Sequence, residues 1–189
     1  MKILGINGSG RPDGNTAVLV NAVLNGAAEA GAETSLLQLA HMTIAGCKSC
    51  NLCKAEHRCV LNDDMSRFYD LAPETDVLVL GSPIYFDQIT GQMKTFFDRL
   101  YCYLGLHGET HYPRRDLRAV LAVTYEAHNP SMYDYVLDWM ENRLKGYYRI
   151  TTVGRFTIHS TDFDPIITAQ HPDLRRACEF GRTLKAPAS

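Results

Sequence analysis

The sequence has little that would set it apart from ordinary globular chains. Charge of neither sign dominates, since 19 Lys and Arg stand against 21 Asp and Glu, a net charge of −2. That balance offers no basic footprint for nucleic acid and no polybasic patch for an anionic lipid surface. Long apolar runs are missing too. The longest, such as Val77–Leu80 and Ala119–Val123, fall far short of the ~18 residues needed to span a bilayer. The first run, Met1–Ile6, breaks at Asn7 and Gly8, too early for a signal peptide. There is no internal repeat, low-complexity tract or linker. At 189 residues the chain reads as a single cytoplasmic domain over residues 1–189, large enough to build a core without disulfides.

What is present is a regular alternation. Lys2–Ile6, Glu33–Leu39, Asp76–Gly81, Arg118–Val123 and Ile150–Ile158 read as strands. Thr16–Ala30, Met65–Leu71, Thr90–Leu104, Ser131–Tyr147 and Pro172–Leu184 read as helices. The first helix places Val18, Leu19, Ala22, Val23 and Ala27 near i, i+3, i+4 spacing, and Gly31 suits a left-handed C-cap. Asp63 or Asp64 can cap the second helix, and Pro73 ends it. Such alternation predicts an α/β fold: a doubly wound sandwich with five parallel strands and helices on both faces.

Two connections carry candidate chemistry. Gly8-Ser9-Gly10-Arg11-Pro12-Asp13-Gly14-Asn15-Thr16 joins the first strand to the first helix. Backbone N–H groups converge at such a junction and make an anion site. Ser9, Asn15 and Thr16 add neutral donors, and Arg11 adds a forked positive charge. The set suits a phosphate monoester. It is not a Walker A loop, because no Lys-Ser/Thr pair follows the last glycine, and Asp13 breaks the dinucleotide fingerprint. The second connection, Gly81-Ser82-Pro83-Ile84-Tyr85-Phe86-Asp87, follows the third strand. Pro83 stiffens it, and Tyr85 and Phe86 offer aromatic faces to a planar ring. In an open α/β sheet, ligands sit beyond the carboxyl ends of the strands. A phosphate grip on one turn and a ring slot on the next describe a mononucleotide, most simply FMN.

Cysteine is unevenly spread. Cys47, Cys50, Cys53 and Cys59 share one irregular loop over residues 41–62, while Cys102 and Cys178 stand apart on helical stripes as small buried hydrophobes. Two successive x2 spacings let one loop wrap an iron-sulfur cubane. Zinc, with His57 as a further ligand, and a set of free thiols are the alternatives. His107 and His111 lie in a Gly- and Pro-flanked loop and are not assigned to metal. Tyr135 and Trp139 read as core or subunit interface, and Arg114-Arg115 as a solvated turn.

The pair GSGRPDGNT and GSPIYFDQITGQMKTFFDR resembles the NADPH-dependent FMN reductase family of flavodoxin-like proteins, over residues 1 to about 125. The cysteine pattern, with Asp63-Asp64-Met65 after it, resembles the iron-sulfur flavoprotein branch. The resemblance implies that Ser9, Arg11, Asn15 and Thr16 hold the FMN phosphate. It implies that Pro83, Ile84, Tyr85 and Phe86 line the ring, with Thr124, Tyr125 and Glu126 as a third wall. It also implies that Cys47, Cys50, Cys53 and Cys59 hold a [4Fe-4S] cluster. The expected protein is a flavin-dependent oxidoreductase, taking electrons from NAD(P)H or a ferredoxin and passing them to a quinone or other small acceptor. It is expected as a homodimer or homotetramer, with no nucleic-acid or membrane partner. A cluster-free NAD(P)H-dependent FMN or quinone reductase is the alternative within the same class, and a non-enzymatic FMN electron carrier the alternative outside it. No catalytic side chain is named, because the cofactor carries this chemistry.

Overall fold

The computed structural model describes residues 1–105, 107–114, 116–161, 167–168 and 170–185. Its strands are β1 (Lys2–Asn7), β2 (Glu33–Gln38), β3 (Val77–Tyr85), β4 (Gln88–Ile89), β5 (Arg118–Thr124) and β6 (Thr151–Ile158). Its helices are α1 (Asn15–Glu29), α2 (Met65–Leu71), α3 (Gly91–Arg99), α4 (Asp134–Tyr148) and α5 (Pro172–Thr183). Five strands run parallel in the order β2-β1-β3-β5-β6, and the short β4 folds back antiparallel on β3. The chain reverses its direction of winding between β1 and β3, which sets the switch point of the sheet there.

Alternate residues of each central strand serve opposite faces, as the pleat requires. Leu4, Ile6, Leu78, Leu80, Leu121 and Val123 join the core under α2, α3 and α4. Ile3, Val77, Val79, Val120 and Ala122 join the core under α1 and α5. Parallel strands covered on both faces have to be apolar throughout, and β1, β3 and β5 are buried along nearly their whole length. No described helix is long and apolar enough to cross a membrane.

Three elements differ from the sequence reading by more than a residue at one end, each for a physical reason. The third strand does not stop at Gly81 but runs on to Tyr85. β1 ends at Asn7, opposite Gly81, so Pro83 stands where the sheet has only β5 beside it and the lost N–H breaks no β1 ladder. The third helix starts at Gly91, one residue after the expected Thr90, because Thr90 is its N-cap and its hydroxyl accepts from Met93 N–H. Its last residues, Leu100–Tyr103, tighten into a 3₁₀ turn. The fourth helix begins at Asp134, because Tyr125 Oη donates to the carbonyls of Asn129 (3.2 Å) and Pro130 (2.7 Å) and holds the segment before it outside the helix. Gly31 has φ +86° just past the end of α1, as a left-handed C-cap should.

Candidate functional site

The β1–α1 connection is braced from several sides. Gly8 N–H donates to the Gly81 carbonyl at 2.7 Å, and Thr90 Oγ1 donates to the Gly8 carbonyl at 2.6 Å. The same Thr90 oxygen caps α3 by accepting from Met93 N–H at 3.2 Å. Two successive turns of the sheet edge are thereby locked together. Within the loop, Asn7 Oδ1 accepts from Ser9 N–H (3.1 Å) and Ser9 Oγ accepts from Arg11 N–H (3.0 Å).

The start of α1 is left electrophilic. Its N-cap is Gly14, no side chain caps it, and the first turn holds no acidic residue. The first helical bond runs from Val18 N–H to the Gly14 carbonyl at 3.1 Å, so the N–H groups of Asn15, Thr16 and Ala17 have no acceptor among the described residues. These N–H groups and the helix dipole favour an anion there. Arg11 is exposed and has no carboxylate partner among the described residues. Asn15 spends its Oδ1 on Ile167 N–H at 2.8 Å, which leaves its amide Nδ2 a donor with no acceptor among the described residues.

Ser9, Arg11, Asn15 and Thr16 meet Pro83, Ile84, Tyr85, Thr124, Tyr125 and Glu126 around one cleft of 490 Å³ at the carboxyl ends of β1, β3 and β5. Pro83 and Thr124 face each other across adjacent strands, and Thr16 Oγ1 and Thr124 Oγ1 share a hydrogen bond of 2.7 Å. The floor is thus tied to the phosphate-type turn. Burial raises the Tyr125 phenol above its ordinary value, so it stays protonated as the donor to Asn129 and Pro130. Phe86 does not join this wall. It stands wholly exposed at the tip of the β3–β4 hairpin, with φ 46°, and is not among the residues lining the cleft beside Tyr85. One lining residue, Thr161, escaped the sequence reading. It lies just past β6, where no motif marks it, and Thr161 N–H donates to the Tyr125 carbonyl at 3.2 Å.

The residues present fit FMN: a donor-lined, electropositive helix start at one end, and a cleft walled by Pro83, Ile84, Tyr85 and Tyr125 at the other. The cysteines are another matter. Cys47 and Cys50 are exposed, Cys53 is buried and Cys59 lies between these extremes. Among the described residues no three His, Cys, Asp or Glu side chains converge to hold a metal ion. The spacing-based expectation of a gathered ligand set is therefore not met as the loop lies. The reason is local. Lys54 Nζ donates to the carbonyls of Tyr101 (2.8 Å) and Leu104 (2.6 Å), which pins the short turn Leu52–Lys54 and draws Cys53 inward, while Cys47 faces the α3–α4 side. His57 lies against His111 instead, their rings stacked at 3.8 Å.

The loop's two ends, by contrast, are firmly held. Arg99, fully buried, donates to Asp63 (2.6 Å from Nη1, 3.1 Å from Nη2) and to the Ala45 carbonyl (2.8 Å). Asp63 in turn accepts from Ala45 N–H and Met65 N–H, both at 3.1 Å; the N-cap of α2 is Asp64, whose side chain makes no capping bond. Burial alone would raise the Asp63 carboxyl, but the Arg99 guanidinium and these two N–H groups outweigh it and hold it below the usual carboxylate range. Cys102 is buried beneath the loop, and burial pushes its thiol up to about 12. Cys178 is half-buried on α5. Arg114 is no solvated turn residue, since it pairs with Asp76; Arg115 lies outside the described residues.

Comparison with known proteins places these features in a family. Residues 1–132 match the NADPH-dependent FMN reductase family. An iron-sulfur flavoprotein of Methanocaldococcus jannaschii is 43% identical over 99 residues, covering 52% of this chain and 51% of that protein. One from Methanosarcina thermophila is 35% identical over 99 residues, covering 52% of each. The matched stretch thus spans about half the length of these relatives. Among solved structures, an NAD(P)H:quinone oxidoreductase from Methanothermobacter marburgensis superposes with a TM-score of 0.71 at 16% identity, covering 98% of this chain and 99% of its own. An azoreductase from Bacillus anthracis gives 0.66 at 18% identity, over 97% and 100% of the two chains. These likenesses establish the flavodoxin-like sheet. With its glycine-rich turn, its donor-lined helix start and a family match over residues 1–132, the chain belongs to the NADPH-dependent FMN reductase family of flavin-dependent oxidoreductases.

Proposed function

We propose that the 490 Å³ cleft binds FMN and that the protein is an FMN-dependent oxidoreductase taking electrons from NAD(P)H or a ferredoxin and delivering them to a quinone or similar acceptor. The observation that carries this reading is the start of α1, where, among the described residues, three backbone N–H groups lack an acceptor and the Arg11 guanidinium beside them lacks a carboxylate partner. Such a site demands a multiply charged anion, and FMN carries one on its ribityl tail. When bound, the flavin supplies hydride and single-electron chemistry of its own.

The chain's share of the work is binding, orientation and exclusion. Ser9, Arg11, Asn15 and Thr16 are the proposed phosphate ligands. Pro83, Ile84 and Tyr85 on one side, and Thr124, Tyr125 and Glu126 on the other, bound the slot for the ring. The Ser82 hydroxyl accepts from Thr90 N–H at 3.1 Å and donates to the Pro83 carbonyl at 2.8 Å, which fixes the backbone that would face the ring's polar edge.

The second part of the proposal concerns the cysteines. Their spacing and the names of the relatives support a [4Fe-4S] cluster at Cys47, Cys50, Cys53 and Cys59, although the loop as it lies does not gather them. A cytoplasmic location, where thiols stay reduced, belongs to the same reading. So does self-association into a dimer or tetramer, which would cover the exposed Phe86, Met132 and Tyr135 beside the cleft. Anaerobic purification with quantification of flavin, iron and acid-labile sulfide, followed by steady-state NAD(P)H oxidation with a quinone, tests both parts. One FMN per chain with turnover is expected. Absence of flavin from the protein, with no uptake by calorimetry, would overturn the reading, whereas flavin without iron would leave the cluster-free reductase.

A further inference from the structure

A second cavity, of 690 Å³, lies between α3, α4 and the cysteine loop, and it shares no lining residue with the flavin cleft. One wall is a stripe of α3 and the turn after it: Lys94, Phe97, Asp98 and Tyr101, at i, i+3, i+4 and i+7. The facing wall is a stripe of α4: Trp139, Arg143 and Tyr147, at i, i+4 and i+8. Phe97 and Trp139 meet at 5.7 Å between ring centroids to close the floor. The Tyr101 ring is held in place by Lys54, whose ammonium sits 3.4 Å from its centroid.

The charges in this cavity do not balance. Lys94 is neutralised by Asp98 at 2.7 Å. Arg143 faces no carboxylate among the described residues; its Nη1 donates to Tyr147 Oη at 3.1 Å, and its guanidinium lies 5.1 Å over the Tyr147 ring. Two cations against one carboxylate leave a single positive charge among aromatic walls. A pocket in the range of about 300–1,000 Å³, mostly apolar and with one charge to fix orientation, has the make-up of a small-molecule site.

We propose that this cavity is a separate binding site for a planar aromatic ligand bearing one anionic group. The rings lie against Phe97, Trp139 and Tyr101, and the anion meets Arg143, whose planar fork suits a carboxylate or sulfonate. The inference does not depend on FMN binding, because no residue lines both the cavity and the cleft; Cys47, one of the proposed cluster ligands, lies on the cavity's rim and is given no part in it.

Trp139 is the one tryptophan of the chain, so its fluorescence reports on this cavity. The purified protein is titrated with anthraquinone-2-sulfonate, and with the neutral 2-(hydroxymethyl)anthraquinone as comparison, while Trp139 emission and binding heat are followed. Saturable quenching is expected, with the sulfonate bound about tenfold more tightly than the neutral compound. Arg143→Met should remove that tenfold preference and leave the neutral compound's affinity unchanged; Arg143→Lys should retain part of it. Arg143→Gln serves as a second charge-removing variant, with the same loss of preference expected, should Arg143→Met fail to fold, and flavin content and sedimentation are measured on each. Equal affinity for the two compounds overturns the proposal, as does an unchanged sulfonate affinity in Arg143→Met, which would place the ligand elsewhere. A ligand-independent, concentration-dependent change in Trp139 emission that tracks dimer formation also overturns it, showing the cavity filled by a second copy of the chain.

Discussion

At Phe86 the main chain turns with φ 46°, and at Asp87 with φ 63°, the pair of left-handed conformations that a two-residue hairpin prefers to give to Asn and Gly. A bulky side chain in that region costs about 1–2 kcal/mol, and Phe86 recovers none of it by burial, being wholly exposed. Asp87 is tethered, with Tyr133 Oη donating to its Oδ1 (3.0 Å) and Tyr135 Oη to its carbonyl (2.7 Å). Phe86→Asn should therefore raise stability by about 1 kcal/mol, read as a higher urea midpoint at unchanged slope; a lower midpoint would mean that the ring is structural. The Arg99–Asp63 pair behaves oppositely. Removing one member of a buried ion pair costs about 3–5 kcal/mol, so Arg99→Met should be strongly destabilised at neutral pH, by the same measurement. Because the folded Asp63 carboxyl titrates lower than it would unfolded, its contribution is complete above the unfolded value near about 3.9 and is lost as pH falls through the lower folded one. The wild type should lose stability on acidification below about pH 4, and Asp63→Asn should show a shallower dependence over the same interval.

Among the elements, α1 and α5 approach closely enough that two of their glycines leave no room for a side chain. A Cβ at Gly26 would fall 1.9 Å from the Cys178 carbonyl oxygen, and one at Gly181 would fall 2.2 Å from that of Val23. Both obstacles are main chain, so neither can turn aside. Gly181→Ala should therefore push the helices apart and cost about 1–3 kcal/mol or more, seen as a fall in thermal midpoint, while flavin uptake at the far end of α1 persists. Nothing in the sequence announces this contact. Gly26 reads as an ordinary tolerated helix glycine, and its need appears only when α5 is laid across it. The same distinction runs through the rest of the chain. The strands were legible because burial on both faces demands unbroken apolar runs such as Val77–Leu80, and the turn after β1 because its glycines and donors sit where a strand meets a helix. The hairpin at Phe86–Asp87 was not, since Gly81-Ser82-Pro83 carries every local sign of a turn and only the end of β1 opposite Gly81 lets a proline continue the strand. The ligating geometry of the cysteine loop was not legible either. Spacing limits which thiols can reach one another, but the anchoring of Lys54 by the carbonyls of Tyr101 and Leu104 decides where they lie.

For the whole molecule, the cleft lies where the carboxyl ends of β1, β3 and β5 meet across the switch point, so its occupant would contact turns that separately terminate three central strands. A ligand held there binds only the folded chain and must stabilise it by mass action, by about 2.7 kcal/mol at a hundredfold excess over its dissociation constant. For a protein of this size each kcal/mol is worth about 2–4 °C in thermal midpoint, so saturating FMN should raise the midpoint by about 5–10 °C. The division of the cleft into an anion end and a ring end makes the source of that gain separable. Riboflavin, which lacks the phosphate, can use the walls at Pro83, Tyr85 and Tyr125 but not the open N–H groups of α1 or Arg11, and should give a much smaller shift. Arg11→Gln removes the fixed positive charge of the β1–α1 turn without touching the braces from Thr90 and Gly81. It should cut the FMN shift towards the riboflavin value and leave the riboflavin shift where it was. Equal shifts for the two flavins in the wild type would mean that the phosphate does not sit at the start of α1.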